Sequence, residues 1–201
     1  GARRLTAIEY RNVVFDLVGV DVDDAALVLP TDDRTPFDND FTKQISSQAL
    51  IDGADLLAGE VAQAVVADPA LRGAIMPCEP AGPTDEACFR SFVEDFGRSA
   101  LRRPLTEDET NAFVDHFMPH AQTANDFWVA VDSALRAFLQ HPAFLFRLEI
   151  GTPIEGVPGM VRLDDYEIAT RLSFLLWGST PPRWVLDQAD AGELTEPATL
   201  K

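Results

Sequence analysis

Basic residues are scarce in this chain. Sixteen lysines and arginines stand against 33 aspartates and glutamates in 201 residues, for a net charge of −17. That balance disfavours binding to DNA, RNA or an anionic membrane and leaves cations as the natural counter-partners. Long apolar runs are missing too. No stretch approaches the ~18–20 residues of a membrane span, and no charged-then-apolar leader stands ahead of the first helix start. The signatures of chemistry are as thin. The sequence has no C-x-x-C-H for covalent haem, no G-x-S-x-G and no H-E-x-x-H. No unit of about 20–50 residues repeats, and no segment alternates as a half-buried strand does. Among 33 acids any carboxylate pair can be imagined, so none is singled out for glycoside hydrolysis. Catalytic residues stay unassigned.

Cysteine is limited to Cys78 and Cys88. The loop between them holds Pro80, Gly82 and Pro83, rigid and turn-prone enough to bring two sulfurs together. Two small buried thiols in a reducing compartment would give the same spacing. Spacing leaves both open.

What is present is helix. Cys88–Pro104 is the stretch around which the rest is expected to be arranged. Phe89, Phe92 and Phe96 share one face, with Arg90, Glu94, Asp95 and Arg98 on the other. Thr6-Ala7-Ile8-Glu9, Thr106-Glu107-Asp108-Glu109 and Asp164-Asp165-Tyr166-Glu167 are capping boxes. The first opens a helix striped by Tyr10, Val13, Val14 and Leu17 and stopped at Gly19. A second helix is expected from Ser46 or Ser47 to Ala67, ending before Asp68-Pro69. Further helices are expected from Glu107 until Pro119 interrupts, over about 125–140, after Asp164, and from Pro181-Pro182. Phe144-Leu145-Phe146 fits a helical turn or a buried strand. The fold class is all-α, a bundle of about seven helices.

Metal candidates are two. Asp21, Asp23, Asp24, Asp32, Asp33, Asp38, Asn39 and Asp40 crowd one acidic loop over residues 20–44, and hard cations such as Ca²⁺ take six to eight oxygens. Asp38 and Asp40 are the candidate ligands. The loop lacks EF-hand spacing, and turn or capping bonds are the competing role. His116 and His120 are four apart on one helical face, as zinc ligands are, but Pro119 disturbs that turn and a third ligand is needed. Arg102, Arg103 and Arg147 are expected in buried ion pairs with Glu94, Asp95, Glu149 or Glu167, and Arg171, inside an apolar helix, is expected to be packed and paired. An anion-binding site is the alternative use of these arginines. Trp128, Trp177 and Trp184 could stack on sugar rings, although aromatics at helical spacing are core by default.

Three blocks of residues carry a resemblance. They are Arg3-Arg4-Leu5-Thr6 with Glu9-Tyr10-Arg11-Asn12 and Pro36-Phe37-Asp38-Asn39; Phe96-Gly97-Arg98 with Leu101-Arg102-Arg103-Pro104; and Gln140-His141-Pro142 with Leu163-Asp164-Asp165-Tyr166-Glu167. In this order they resemble secreted multidomain proteins of planctomycetes and myxobacteria built from domains of unknown function, often linked to a cytochrome c domain. The resemblance implies an extracytoplasmic location (periplasm, cell envelope or secreted), and with it a Cys78–Cys88 disulfide. It supplies no catalytic residue.

The expected division is an N-terminal helical sub-module with its acidic loop at 1–75, a disulfide-stapled helical pair at 76–122, and a C-terminal helical module at 123–201 that is incomplete at its end. The expected function is a non-catalytic structural or interaction part of a larger secreted or envelope protein, docking a redox module of cytochrome c type. It needs no cofactor, and its partner is the remainder of its own polypeptide or another protein chain. One alternative is an extracytoplasmic hydrolase or oxidoreductase whose site a further C-terminal part completes. A Ca²⁺-dependent adhesion module is another.

Overall fold

The computed structural model describes residues 1–30 and 47–195. The expected calcium ligands Asp38 and Asp40 lie outside the described residues. The chain is all-α with minor strands. Its elements are β1 (Ala2–Arg4), α1 (Ala7–Val18), α2 (Ala25–Val28), α3 (Gln48–Ala67), α4 (Pro69–Ile75), α5 (Glu86–Leu101), α6 (Glu107–Ala124), α7 (Phe127–Gln140), α8 (Pro142–Leu145), β2 (Phe146–Leu148), β3 (Thr152–Pro153), β4 (Val161–Arg162), α9 (Asp165–Trp177) and α10 (Arg183–Asp190).

Ten helices among the described residues replace the seven expected. The extra ones are short. α2 and α8 are single turns, and α4 uses Pro69 in its first turn, with Asp68 capping Ala70 N–H at 2.8 Å, so the proline that ends α3 starts the next helix. Phe144-Leu145-Phe146 is both things at once, the end of a turn and the start of a strand. The strands pair antiparallel as β1–β2 and β3–β4. At two or three residues each, they are too short to show alternation in sequence.

The three capping boxes form as expected. Thr6 Oγ1 accepts from Glu9 N–H at 3.2 Å while Glu9 accepts from Thr6 N–H at 2.9 Å, and the pattern recurs at Thr106–Glu109 and Asp164–Glu167. Pro119 does not end its helix. α6 runs on to Ala124 with Met118 and Ala121 buried, and burial of that face outweighs the one hydrogen bond that proline removes.

The hub is α7 rather than α5. α7 packs on α3 and α6 most heavily, and also on α5 and α8, through Ala130, Val131, Ala134, Leu135, Phe138 and Leu139, all fully buried. Phe138 stacks on Phe113 at 4.1 Å and touches Phe96 at 5.5 Å between ring centres. Gly97 permits this approach, because a Cβ there would lie 2.6 Å from Leu105 Cδ1 and 2.9 Å from the Phe138 ring. One apolar cluster runs from Leu5 to Phe174, and a small second one joins Ala169 to Val185, Ala189 and Leu194 under α9 and α10. Cys78 and Cys88 are disulfide-bonded, which ties the Pro-rich connector to the first turn of α5.

Candidate functional site

Between α1, the ends of α4 and α5, and the α9–α10 corner lies a cleft of about 1160 Å³. α1 contributes Arg11, Asn12, Phe15 and Asp16, the residues opposite its buried stripe, and α5 contributes Phe96 and Ser99. The far wall is the corner 177–184. It exists because Gly178 takes the left-handed conformation (φ 63°) that ends α9. Pro182 then serves as N-cap, so α10 begins at Arg183 rather than at the proline pair.

Four contacts fix that wall. Asn12 Nδ2 donates to Gly178 O at 3.2 Å, Ser179 Oγ donates to Asp16 at 2.5 Å, Thr180 Oγ1 donates to Ser99 O at 3.1 Å, and Arg183 forms a two-pronged pair with Asp95. α10 is also held from below, where Arg98 bridges Asp187 and Asp190 at 2.7 and 2.6 Å. Tyr166 donates to Asp190 at 2.5 Å. Burial and this carboxylate neighbour push the Tyr166 phenol up to about 12.

At the mouth stand Trp177 and Trp184, 51% and 57% exposed, with ring centres 6.4 Å apart in an edge-to-face arrangement. Phe15 is equally open at 54%. The expectation that Trp177 and Trp184 are core is therefore corrected, whereas Trp128 packs against the main cluster beneath Arg72. Periodicity assigned these rings to a face without saying whether anything covers it.

Beside the cleft the frame is held by buried arginines. Arg102 ends α5 in a left-handed conformation (φ 61°) and donates from one Nη to the carbonyls of Ala143, Phe144 (3.2 Å) and Phe146 (3.0 Å). Arg147 lies 3.3 Å from Glu9, the same carboxylate that closes the first capping box. Both guanidinium groups face the ring of Phe174, at 5.7 and 4.7 Å. Burial first, and then the nearby Arg147 charge, lowers the Arg102 pKa to about 9. Burial lowers that of Arg147 too.

The expected arginine partners are thus largely replaced. Arg102 binds carbonyls, Arg147 pairs with Glu9, and Arg103 pairs with Glu109 at 2.7 Å. Asp95 and Glu149 are used, but by Arg183 and Arg171. Arg171 is paired as expected, yet its side chain is 54% exposed rather than packed.

Asp21 and Asp23 both pair with Arg11. His116 and His120 are exposed, with ring centres 5.7 Å apart. Among the described residues no three His, Cys, Asp or Glu side chains converge as a metal site would require. Pairing of Arg102 and Arg147 is expected from the sequence, but their actual partners escape such a reading because those partners lie far away along the chain.

Residues 3–67 match the family described as PSD3, Protein of unknown function (DUF1587), and residues 88–149 match PSD5, Protein of unknown function (DUF1595). Residues 163–201 match PSD4, Protein of unknown function (DUF1592). Three domains of unknown function stand in series. No curated protein and no solved structure matches the chain. The cleft draws on all three segments: Asn12 and Asp16 from PSD3, Phe96 and Ser99 from PSD5, and Trp177 through Trp184 from PSD4. No helix among the described residues is long and apolar enough to cross a membrane.

Proposed function

We propose that this chain is a non-catalytic interaction part of a larger extracytoplasmic protein, with the cleft shared by the PSD3, PSD5 and PSD4 segments as its binding surface. The observation that carries this reading is the pair of half-exposed tryptophans over a wall already fixed by side-chain bonds. Exposed aromatic surface is costly to keep in water unless something covers it during function. A wall held in place loses little further freedom when a ligand arrives. The Cys78–Cys88 bond supports a location outside the reducing cytoplasm. The reading needs no metal or cofactor.

The purified chain is tested for turnover in hydrolase and oxidoreductase assays, in parallel with binding. The reading expects binding without turnover. Reproducible turnover would make the chain an enzyme, and melting sensitive to a chelator would favour the Ca²⁺-dependent adhesion alternative.

The net charge of −17 favours one second contact, with a basic protein surface such as that of a c-type cytochrome module. That contact would weaken steeply as salt rises. A salt-independent interaction, or none, would remove it.

A further inference from the structure

Resting on the reading of the cleft as a binding surface, we infer that its ligand is a neutral polysaccharide, with sugar rings stacked on Trp177 and Trp184 and their hydroxyls bonded by Asp16 and Asn12. A pyranose ring has apolar C–H faces and a polar hydroxyl edge. A site for it therefore pairs exposed indole or phenyl faces with nearby side chains that both donate and accept. The cleft supplies both. Trp177, Trp184 and Phe15 are each more than half exposed around it. Between them, Asp16 accepts one bond from Ser179, which leaves further acceptor capacity on its carboxylate. Asn12 spends one amide hydrogen on Gly178 O, leaving the second hydrogen and its oxygen.

Charge selects among ligand classes. The two arginines at the cleft are committed, Arg11 to Asp21 and Asp23, and Arg183 to Asp95. With these pairs made and the chain at −17, a polyuronate, sulfated glycan or phosphate meets repulsion rather than a counter-charge. A purely apolar ligand is disfavoured by the carboxylates and amide of the α1 wall, which would lose water without gaining a partner. The volume of about 1160 Å³ exceeds the usual range for one small molecule, which suits several linked sugar units.

The test uses the 201-residue chain and titrates it by calorimetry and tryptophan fluorescence. The probes are neutral hexasaccharides of β-1,4-linked glucose, N-acetylglucosamine, xylose and mannose, with oligogalacturonate as the anionic comparison. At least one neutral hexasaccharide is expected to bind saturably. W177A and W184A should each weaken it by about tenfold or more, with far-UV circular dichroism unchanged and the chain still fully folded at the titration temperature, because about half of each tryptophan is exposed. W177F should retain a measurable part of the binding. Absence of binding to every neutral probe at millimolar concentration, equal binding by the tryptophan variants, or a preference for the anionic oligomer would each overturn the assignment. Mass spectrometry of the same mixtures separates the two readings. Cleavage of a bound probe keeps the sugar site and refutes the non-catalytic role, whereas failure to bind removes the sugar site and leaves that role standing.

Discussion

The carbonyl of Phe146 accepts a hydrogen bond at 3.0 Å from Arg102, 44 positions earlier in the chain. The same guanidinium also reaches Ala143 and Phe144, so one side chain from the end of α5 satisfies the carbonyls where α8 turns into β2. Its left-handed backbone costs about 1 kcal/mol and is outweighed by these charge-assisted bonds in a buried place.

Arg102→Ala should therefore cost roughly 3 kcal/mol, because the buried Phe144 carbonyl and the partly buried carbonyls of Ala143 and Phe146 lose their shared donor. Arg102→Lys should recover only part, since an ammonium lacks the planar fork. Chemical denaturation of the three proteins checks the ranking, and a lysine variant as stable as the parent would refute it.

Gly97→Ala should destabilise by about 1–3 kcal/mol through overpacking. The new methyl would press on Leu105 and the Phe138 ring at 2.6 and 2.9 Å. Thermal melting of this variant beside Gly73→Ala, where nothing lies within 4 Å of the added carbon, separates crowding from the general effect of alanine in a helix.

Reduction of Cys78–Cys88, or the double change to alanine, should cost on the order of 2–3 kcal/mol from loop entropy regained by the unfolded chain. For a chain of this size the melting point should fall by about 5–10 °C. Calorimetry with and without reductant measures it, and an unchanged melting point would show that the staple adds no stability.

The Arg103 guanidinium, helped by Thr106 against the opposing cost of burial, holds the Glu109 carboxyl down at about 2. A depressed carboxylate stabilises the fold fully above its unfolded value near 4.5 and loses that contribution as pH falls from there towards about 2. Allowing for partial exposure, the contribution is about 1 kcal/mol. Urea midpoints of the parent and Glu109→Gln should differ near neutral pH and converge in acid. A gap that stays constant would sink the argument.

Features made by residues close together along the chain are legible in the sequence. The three capping boxes, the Ser47 cap of α3 and the Gly19 stop all depend on residues within about four positions of each other. Cys78 and Cys88 needed the resemblance, because spacing alone allowed two thiols. What escapes depends on long-range packing. Pro119 looks like a break until Met118 and Ala121 are seen buried on either side of it. Arg171 sits in an apolar helix yet points out to Glu149. Trp177 and Trp184 carry the periodicity of a core, and only the fold reveals that nothing in the described chain covers them. The candidate site combines α1 with a corner more than 160 positions later, joined by the Asp16–Ser179 bond. No local pattern encodes that meeting.

The first strand has its own consequence for how the protein is made. β1 pairs with β2 in the register Ala2↔Leu148, and Leu5 N–H reaches Leu145 O at 2.8 Å. A nascent chain cannot close this pair until residue 148 has emerged, so β1 stays without its strand partner while the intervening helices are made. Folding order is thereby coupled across the PSD3 and PSD5 segments, and a chain cut before β2 would leave β1 without its strand partner.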